Sequence, residues 1–208
     1  IAHDGSYMPE KATDLCSAGV VIYCRDSRQW LKISVSERSC DASNYRGELL
    51  GAVIALLILR AASVGLALPT PPVPLHCDNR GVISHGNCPL TSLPDKQRQA
   101  DLVRLVKHLA SSNRSGATWV WVEGHAVERK GWANCTLPER LNHQADKSAK
   151  DSLVSAISGG SIIGGDLPFE VVKISLSGIR VHGSPRLSLE KDWGFRTAQR
   201  LYDEKNIV

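Results

Sequence analysis

Four carboxylates far apart in the chain, Asp4, Glu48, Asp78 and Asp146, each fall near the end of a stretch that reads as a strand or a helix. Gathered on one rim they would repel one another and raise each other's pKa, an arrangement stable mainly when divalent cations neutralise it. Hard oxygen donors of this kind select Mg²⁺ or Mn²⁺ over zinc. Two such ions about 4 Å apart clamp the attacking water and the leaving oxygen of a phosphodiester in line. The expected chemistry is therefore phosphodiester hydrolysis.

Each acid also has a plainer reading. Asp4-Gly5 is a common turn dipeptide, Asp78 could cap the turn after its strand, and Glu48 and Asp146 could be first-turn acids complementing a helix dipole. What separates the two readings is whether the surrounding elements bring all four together.

The elements expected from the pattern do so. Ile1 to Asp4 reads as the end of a strand, Ser17 to Tyr23 and Gln29 to Val35 as two more, and short polar connections make the three an antiparallel meander. Ser43 or Asn44 can cap a helix that is apolar around nearly its whole circumference, from Leu49 to Ile58, and so belongs inside a domain. Glu48 sits one turn into it, where burial would cost several kcal/mol without a charged partner. Val73 to Asp78 is a short strand ending in an acid, followed by one or two helical turns from Asn79 to His85. Asp95 to Ser112 has the spacing of an amphipathic helix, Ala117 to Glu123 is a strand with two tryptophans, and a long polar loop from Gly124 leads to a helix starting near Asn142. The order predicts a mixed α/β sheet of five strands, a meander followed by strands returned in parallel through helices. Sites in such sheets gather at the carboxyl ends of the parallel strands.

Six segments in this order, Asp4-Gly5-Ser6, Ala18-Gly19-Val20, Asn44 to Leu49, Cys77-Asp78-Asn79, Val122 to His125 and Asn142 to Asp146, resemble the motifs of the ribonuclease H family. They are most similar to the ribonuclease H domains of retroelement reverse transcriptases. The resemblance covers about residues 1 to 150. It implies a ribonuclease H-like fold and Asp4, Glu48, Asp78 and Asp146 as the metal-binding quartet, holding two Mg²⁺ or Mn²⁺ ions. It implies endonucleolytic hydrolysis of the RNA strand of an RNA-DNA hybrid, leaving 5'-phosphate and 3'-hydroxyl ends. His125 matches a mobile-loop histidine that handles protons or product release. Ser6, Asn44, Arg46 and Asn79 fall where similar proteins contact the hybrid, and the expected partners are the hybrid and an upstream reverse transcriptase domain of the same polyprotein. A non-catalytic descendant that keeps the fold, and a DNA nuclease or resolvase of the wider superfamily, are the competing readings.

The rest of the sequence sets limits. A chain of 208 residues with 42% apolar and 22% charged residues has the composition of an ordinary globular protein. Its net charge of +4 permits a polyanionic partner without requiring one. The longest charge-free apolar run, Leu49 to Leu59, is too short to span a bilayer, and no signal peptide is visible, so no membrane partner and an intracellular location are expected. Six cysteines without a C-x-x-C pair are expected to be reduced thiols. The first residue, Ile1, lies close to a strand, which suggests a piece of a longer polypeptide. His76, His85 and His143 read as structural or surface residues, and the basic residues from Lys96 to Arg114 as a solvated helix face that could also meet phosphates. Trp119 and Trp121 must point to opposite faces of their strand, one into the core and the other under a neighbouring helix. Residues 1–150 are expected to form the ribonuclease H-like domain and 151–165 a linker, flexible by composition from Ser158 to Gly165. Residues 166–208 are expected to be a small hairpin and helix module, whose seven basic and six acidic residues give no charge excess for nucleic acid.

Overall fold

The computed structural model describes residues 1–66, 72–88, 93, 97–112, 116–163, 175–176 and 179–180. Its core is a five-stranded sheet built from β1 (Ala2–Tyr7), β2 (Leu15–Cys24), β3 (Gln29–Arg38), β4 (Val73–Cys77) and β5 (Ala117–Trp121), in the order β3-β2-β1-β4-β5. The first three strands form the antiparallel meander, and β4 and β5 run parallel to β1. The mixed sheet expected from the pattern is the one observed.

Alternation along the strands divides the core between two helical layers. Ala18 and Val20 of β2, with Leu75 and Cys77 of β4, pack under α1 (Asn44–Leu66) and α3 (Ala100–Ser112). Ala2 and Val21 face the opposite side and meet Leu141 and Ala145 of α5 (Leu137–Ile157). Gly19 allows α5 to lie directly on β2, since a Cβ there would collide with the Ala145 carbonyl oxygen. The short helices α2 (Arg80–Asn87) and α4 (Ala126–Lys130) follow β4 and β5.

Helix α1 runs on through Arg60 to Leu66, well beyond the charge-free apolar run Leu49 to Leu59. By length and composition alone it could cross a membrane, yet it packs on β1, β2 and α3 and over half of that stretch is buried in the fold. All six cysteines are free thiols.

Several element ends differ from expectation. Asp4 lies in the middle of β1 rather than at its end, because the register with β2 continues from Ala2↔Val21 to Tyr7↔Cys16 and overrides the turn tendency of Asp4-Gly5. Helix α5 begins at Leu137, not near Asn142. Thr136 precedes it, with the Glu139 carboxylate accepting from the Thr136 N–H at 2.8 Å, and Pro138 sits in the first turn, where its missing N–H costs nothing. Asp146 is consequently in the third turn of α5 and does not head it. The span read as a polar loop holds α4 and a 3₁₀ turn, Trp132–Asn134. Trp119 is in the core as expected, but Trp121 is 48% exposed rather than covered, with the Arg80 guanidinium 5.1 Å from its ring centroid.

Helix α5 continues to Ile157, and the Ile163 N–H donates to Ser36 O at 2.9 Å beside the edge strand β3, so part of the expected linker is docked on the sheet. Ser175–Leu176 and Ile179–Arg180 pair antiparallel. The helix part of the module expected at residues 166–208 lies outside the described residues.

Candidate active site

Two glycines bring the first acids together. A Cβ on Gly5 would collide with Glu48 N and Gly47 C, and one on Gly47 with Ser17 O, so only glycine at both lets the first turn of α1 press against β1. That contact carries Glu48 to Asp4. Asp78 arrives from the end of β4, parallel to β1, and Gly124 leaves room for it, since a Cβ there would strike Asp78 Oδ2. One carboxylate oxygen from each of Asp4, Glu48 and Asp78 lies within 4.8 Å of the other two. Asp4 and Glu48 are buried, whereas Asp78 is half-buried and opens the cluster to solvent.

Asp146 stands beside these three and not among them. Its carboxylate groups with His125 and Glu128, again within 4.8 Å, and accepts from Lys150 Nζ at 2.7 Å. Its charge still acts on both Asp4 and Asp78. Asn142, one turn earlier on α5, donates to Asp4 Oδ2 at 3.4 Å, and its amide also favours the charged form of Asp78. The four acids thus form a buried trio with a fourth at its rim.

Electrostatics follow from this packing. Burial first, then the Asp78 charge, pushes the Asp4 carboxyl up to about 7. Burial and the Asp4 charge hold Glu48 well above the ordinary carboxylate range. Burial raises Asp78 too, with His125 opposing it. Three such acids cannot all be ionised without a compensating cation, and their oxygens are the donor set of a hard divalent ion. The residues therefore fit a metal, with Asp4, Glu48 and Asp78 as ligands and Asp146 adjoining.

A pH dependence follows. In the unfolded chain Asp4 titrates near 3.8 and in the folded chain near 7, so the unfolded state loses its proton first as pH rises. Stability of the metal-free protein is expected to fall from about pH 4 through pH 7, and Asp4→Asn to flatten that slope. Melting temperatures in chelator at pH 5 and pH 8, with and without Mg²⁺, check this, and added Mg²⁺ should recover most of the loss at pH 8.

His125 is the residue before α4, in the left-handed region at φ 54°, with Nδ1 2.9 Å from Glu128 Oε2. Its segment is braced by Arg129 donating to Gly124 O at 2.6 Å and by Lys130 Nζ bridging Glu123 and Glu139 at 2.7 and 2.6 Å. Trp132 packs there too, the Arg140 guanidinium 5.5 Å from its ring centroid and His143 edge-on at 6.0 Å. The span expected to be a long polar loop is thus tied down around His125.

The four substrate-binding candidates part company. Asn44 is exposed at the start of α1, and Asn79 caps α2, accepting from Gly81 N at 3.0 Å. Ser6 is buried in β1, which leaves its side chain little surface to offer a nucleic acid. Arg46 corrects the expectation outright. It is fully buried, binding Glu37 through Nε and NH2 at 2.8 and 2.7 Å, Gln99 at 2.6 Å and Asp101 at 3.0 Å. Its planar fork joins β3, α1 and α3 from inside.

Sequence reasoning singled out neither Glu128 nor Lys150. Glu128, three residues after His125, was legible only once the loop proved helical. Lys150 follows Asp146 at i+4, a signal that was present in the sequence.

No family model matches the chain, and no curated protein sequence matches it. Solved structures do. LC11-RNase H1 in complex with an RNA/DNA hybrid is 15% identical at a TM-score of 0.52, over 75% of this chain and 96% of that one. The RNase H domain of PFV is 18% identical at 0.54, over 74% and 92%. The prototype foamy virus protease-reverse transcriptase is 19% identical at 0.52, over 73% of this chain and 20% of that one. Together with the mixed sheet and its flanking helices, these likenesses establish that the chain has the ribonuclease H fold.

Proposed function

We propose that the chain is a metal-dependent endonuclease that hydrolyses the RNA strand of RNA-DNA hybrids, working intracellularly as the ribonuclease H part of a retroelement reverse transcriptase polyprotein. The observation that carries this reading is the meeting of Asp4, Glu48 and Asp78 within 4.8 Å, with Asp146 at the rim. Mg²⁺ or Mn²⁺, in a pair, would supply Lewis-acid activation of water and of the leaving oxygen. Asp4 and Glu48, anchored on β1 and α1, would hold the ions from the buried side, and half-buried Asp78 would hold them from the solvent side. Asn142 donates to the Asp4 carboxylate and helps hold its orientation. Glu128 accepts from His125 Nδ1, which orients the ring and leaves Nε2 to exchange a proton at the rim.

Similarity to a hybrid-bound RNase H1 and to an RNase H carried by a viral reverse transcriptase supports the substrate and the upstream partner. A non-catalytic domain would gain nothing from keeping three buried acids that oppose one another, which disfavours that alternative. Cleavage assays with Mg²⁺ on labelled hybrid, single-stranded RNA and duplex DNA are expected to show cutting of the RNA strand of the hybrid alone. Cutting of duplex DNA would move the chain to the nuclease and resolvase reading, and no cutting of any substrate would refute catalysis.

His125→Ala is expected to slow the reaction by about 10²-fold, the usual scale for one positioned acid or base. Single-turnover and steady-state rates divide the two roles of the histidine. A loss in both indicates proton transfer, and a loss in the steady state alone indicates product release.

A further inference from the structure

A second set of donors lies on the other side of Glu48. His3 Nδ1 or Nε2, Cys77 Sγ and a Glu48 carboxylate oxygen come within 4.8 Å of one another, and all three residues are buried. His3 alternates with Asp4 along β1 and so faces α1, its ring against Gly51 and edge-on to Trp119 at 6.0 Å. Cys77 comes from the neighbouring strand β4 on the same face. Glu48 therefore stands between the acids on one side and an imidazole and a thiol on the other.

His3 is the unusual member. It is fully buried, yet neither ring nitrogen has a hydrogen-bond partner among the described residues, and Trp119 Nε1 does not supply one. A buried polar group without a partner costs about 1–3 kcal/mol, so an imidazole kept in this position calls for something that uses its lone pair. Cys77 Sγ is 3.8 Å from Glu48 Oε2. Ligands at about 2.3 Å (sulfur) and 2.0 Å (oxygen) from a tetrahedral ion stand about 3.5 Å apart, so this pair needs little movement to share one.

We propose that His3, Cys77 and Glu48 form a site for a borderline-soft divalent ion of the zinc class, distinct in chemistry from the hard-ion site of Asp4, Glu48 and Asp78. Mixed nitrogen, sulfur and oxygen donors favour such an ion over Mg²⁺. Glu48 belongs to both sets, so occupation of the soft site takes a ligand from the hard one and shuts the nuclease down. The inhibitory half of the proposal rests on the nuclease reading, whereas the binding half does not.

The test uses the full chain with the exposed Cys24, Cys40 and Cys88 changed to serine. Titration with Co²⁺, a spectroscopic stand-in for Zn²⁺, is expected to give a sulfur-to-metal charge-transfer band saturating at one equivalent. Cys77→Ala should abolish the band, His3→Phe should weaken binding at least tenfold, and Asp78→Asn should retain it. His3→Phe, which replaces an unpartnered polar ring by an apolar one, is expected to stay folded. Absence of the band, or its survival in Cys77→Ala, overturns the site. With cleavage driven by Mg²⁺, added Zn²⁺ should inhibit the serine-substituted protein at least tenfold more strongly than its Cys77→Ala variant, and equal inhibition overturns the sharing of Glu48. Loss of all cleavage in every sample would strike the nuclease reading and leave the absorbance result to decide the site.

Discussion

Asp78→Asn is expected to lower hybrid cleavage by at least about 10³-fold while raising the melting temperature of the metal-free protein. Both effects have one source. Asp78 is the least buried of the three clustered acids and the one facing solvent, so its loss removes a negative ligand where substrate and cation must meet. A loss of that size corresponds to about 4 kcal/mol of transition-state stabilisation. In the absence of metal, the same charge is one of the causes that push Asp4 up to about 7 and Glu48 above the ordinary carboxylate range, so neutralising it relieves repulsion. Cleavage rates and melting curves on the same preparation check the pair. A variant as active as the parent would end the proposal, and a variant less stable in chelator would contradict the electrostatic account.

Arg46→Met is expected to destabilise the fold by about 3–5 kcal/mol, the cost of breaking a buried ion pair from one side. Glu37, which takes two hydrogen bonds from Arg46, would be left as a nearly inaccessible carboxylate with no opposite charge, and Asp101 would lose its contact as well. For a domain of this size the melting temperature should drop by roughly 10 °C or more. The double variant Arg46→Met with Glu37→Met should recover much of the loss, since apolar replacement of both partners leaves less unpaired charge. Weakened hybrid binding with unchanged stability would restore the substrate-contact role first expected for Arg46.

The difference between Arg46 and Glu48 shows what could be read in the chain before its structure. Glu48 was legible because a carboxylate within an all-round apolar helix must be buried, and burial demands a partner whatever the fold. Arg46 sits in the same helix, but its partners come from β3 and α3, nine and more than fifty residues away, and no local pattern announces that meeting. The meander and the parallel strands were legible from alternation and from Gly and Pro punctuation. The start of α5 was misplaced although Thr136 and Glu139 carry a capping signal, because the polar character of the preceding segment suggested loop. That error put Asp146 at a helix end, whereas the structure places it in the third turn and apart from the buried trio. His3 and Cys77 could not be paired from sequence, because their contact depends on β1 and β4 being neighbours although the two residues are far apart in the chain.

Strand β3 is the border of the sheet, and along it Trp30 and Leu31 are exposed. An open border with apolar side chains is a template on which another copy of the chain can add a strand. The Ile163 backbone, hydrogen-bonded to Ser36 O, occupies part of that template. Among the described residues, a single position beyond the last helix of the core thus shields the Ser36 end of this border from strand addition, while the Trp30 end stays open.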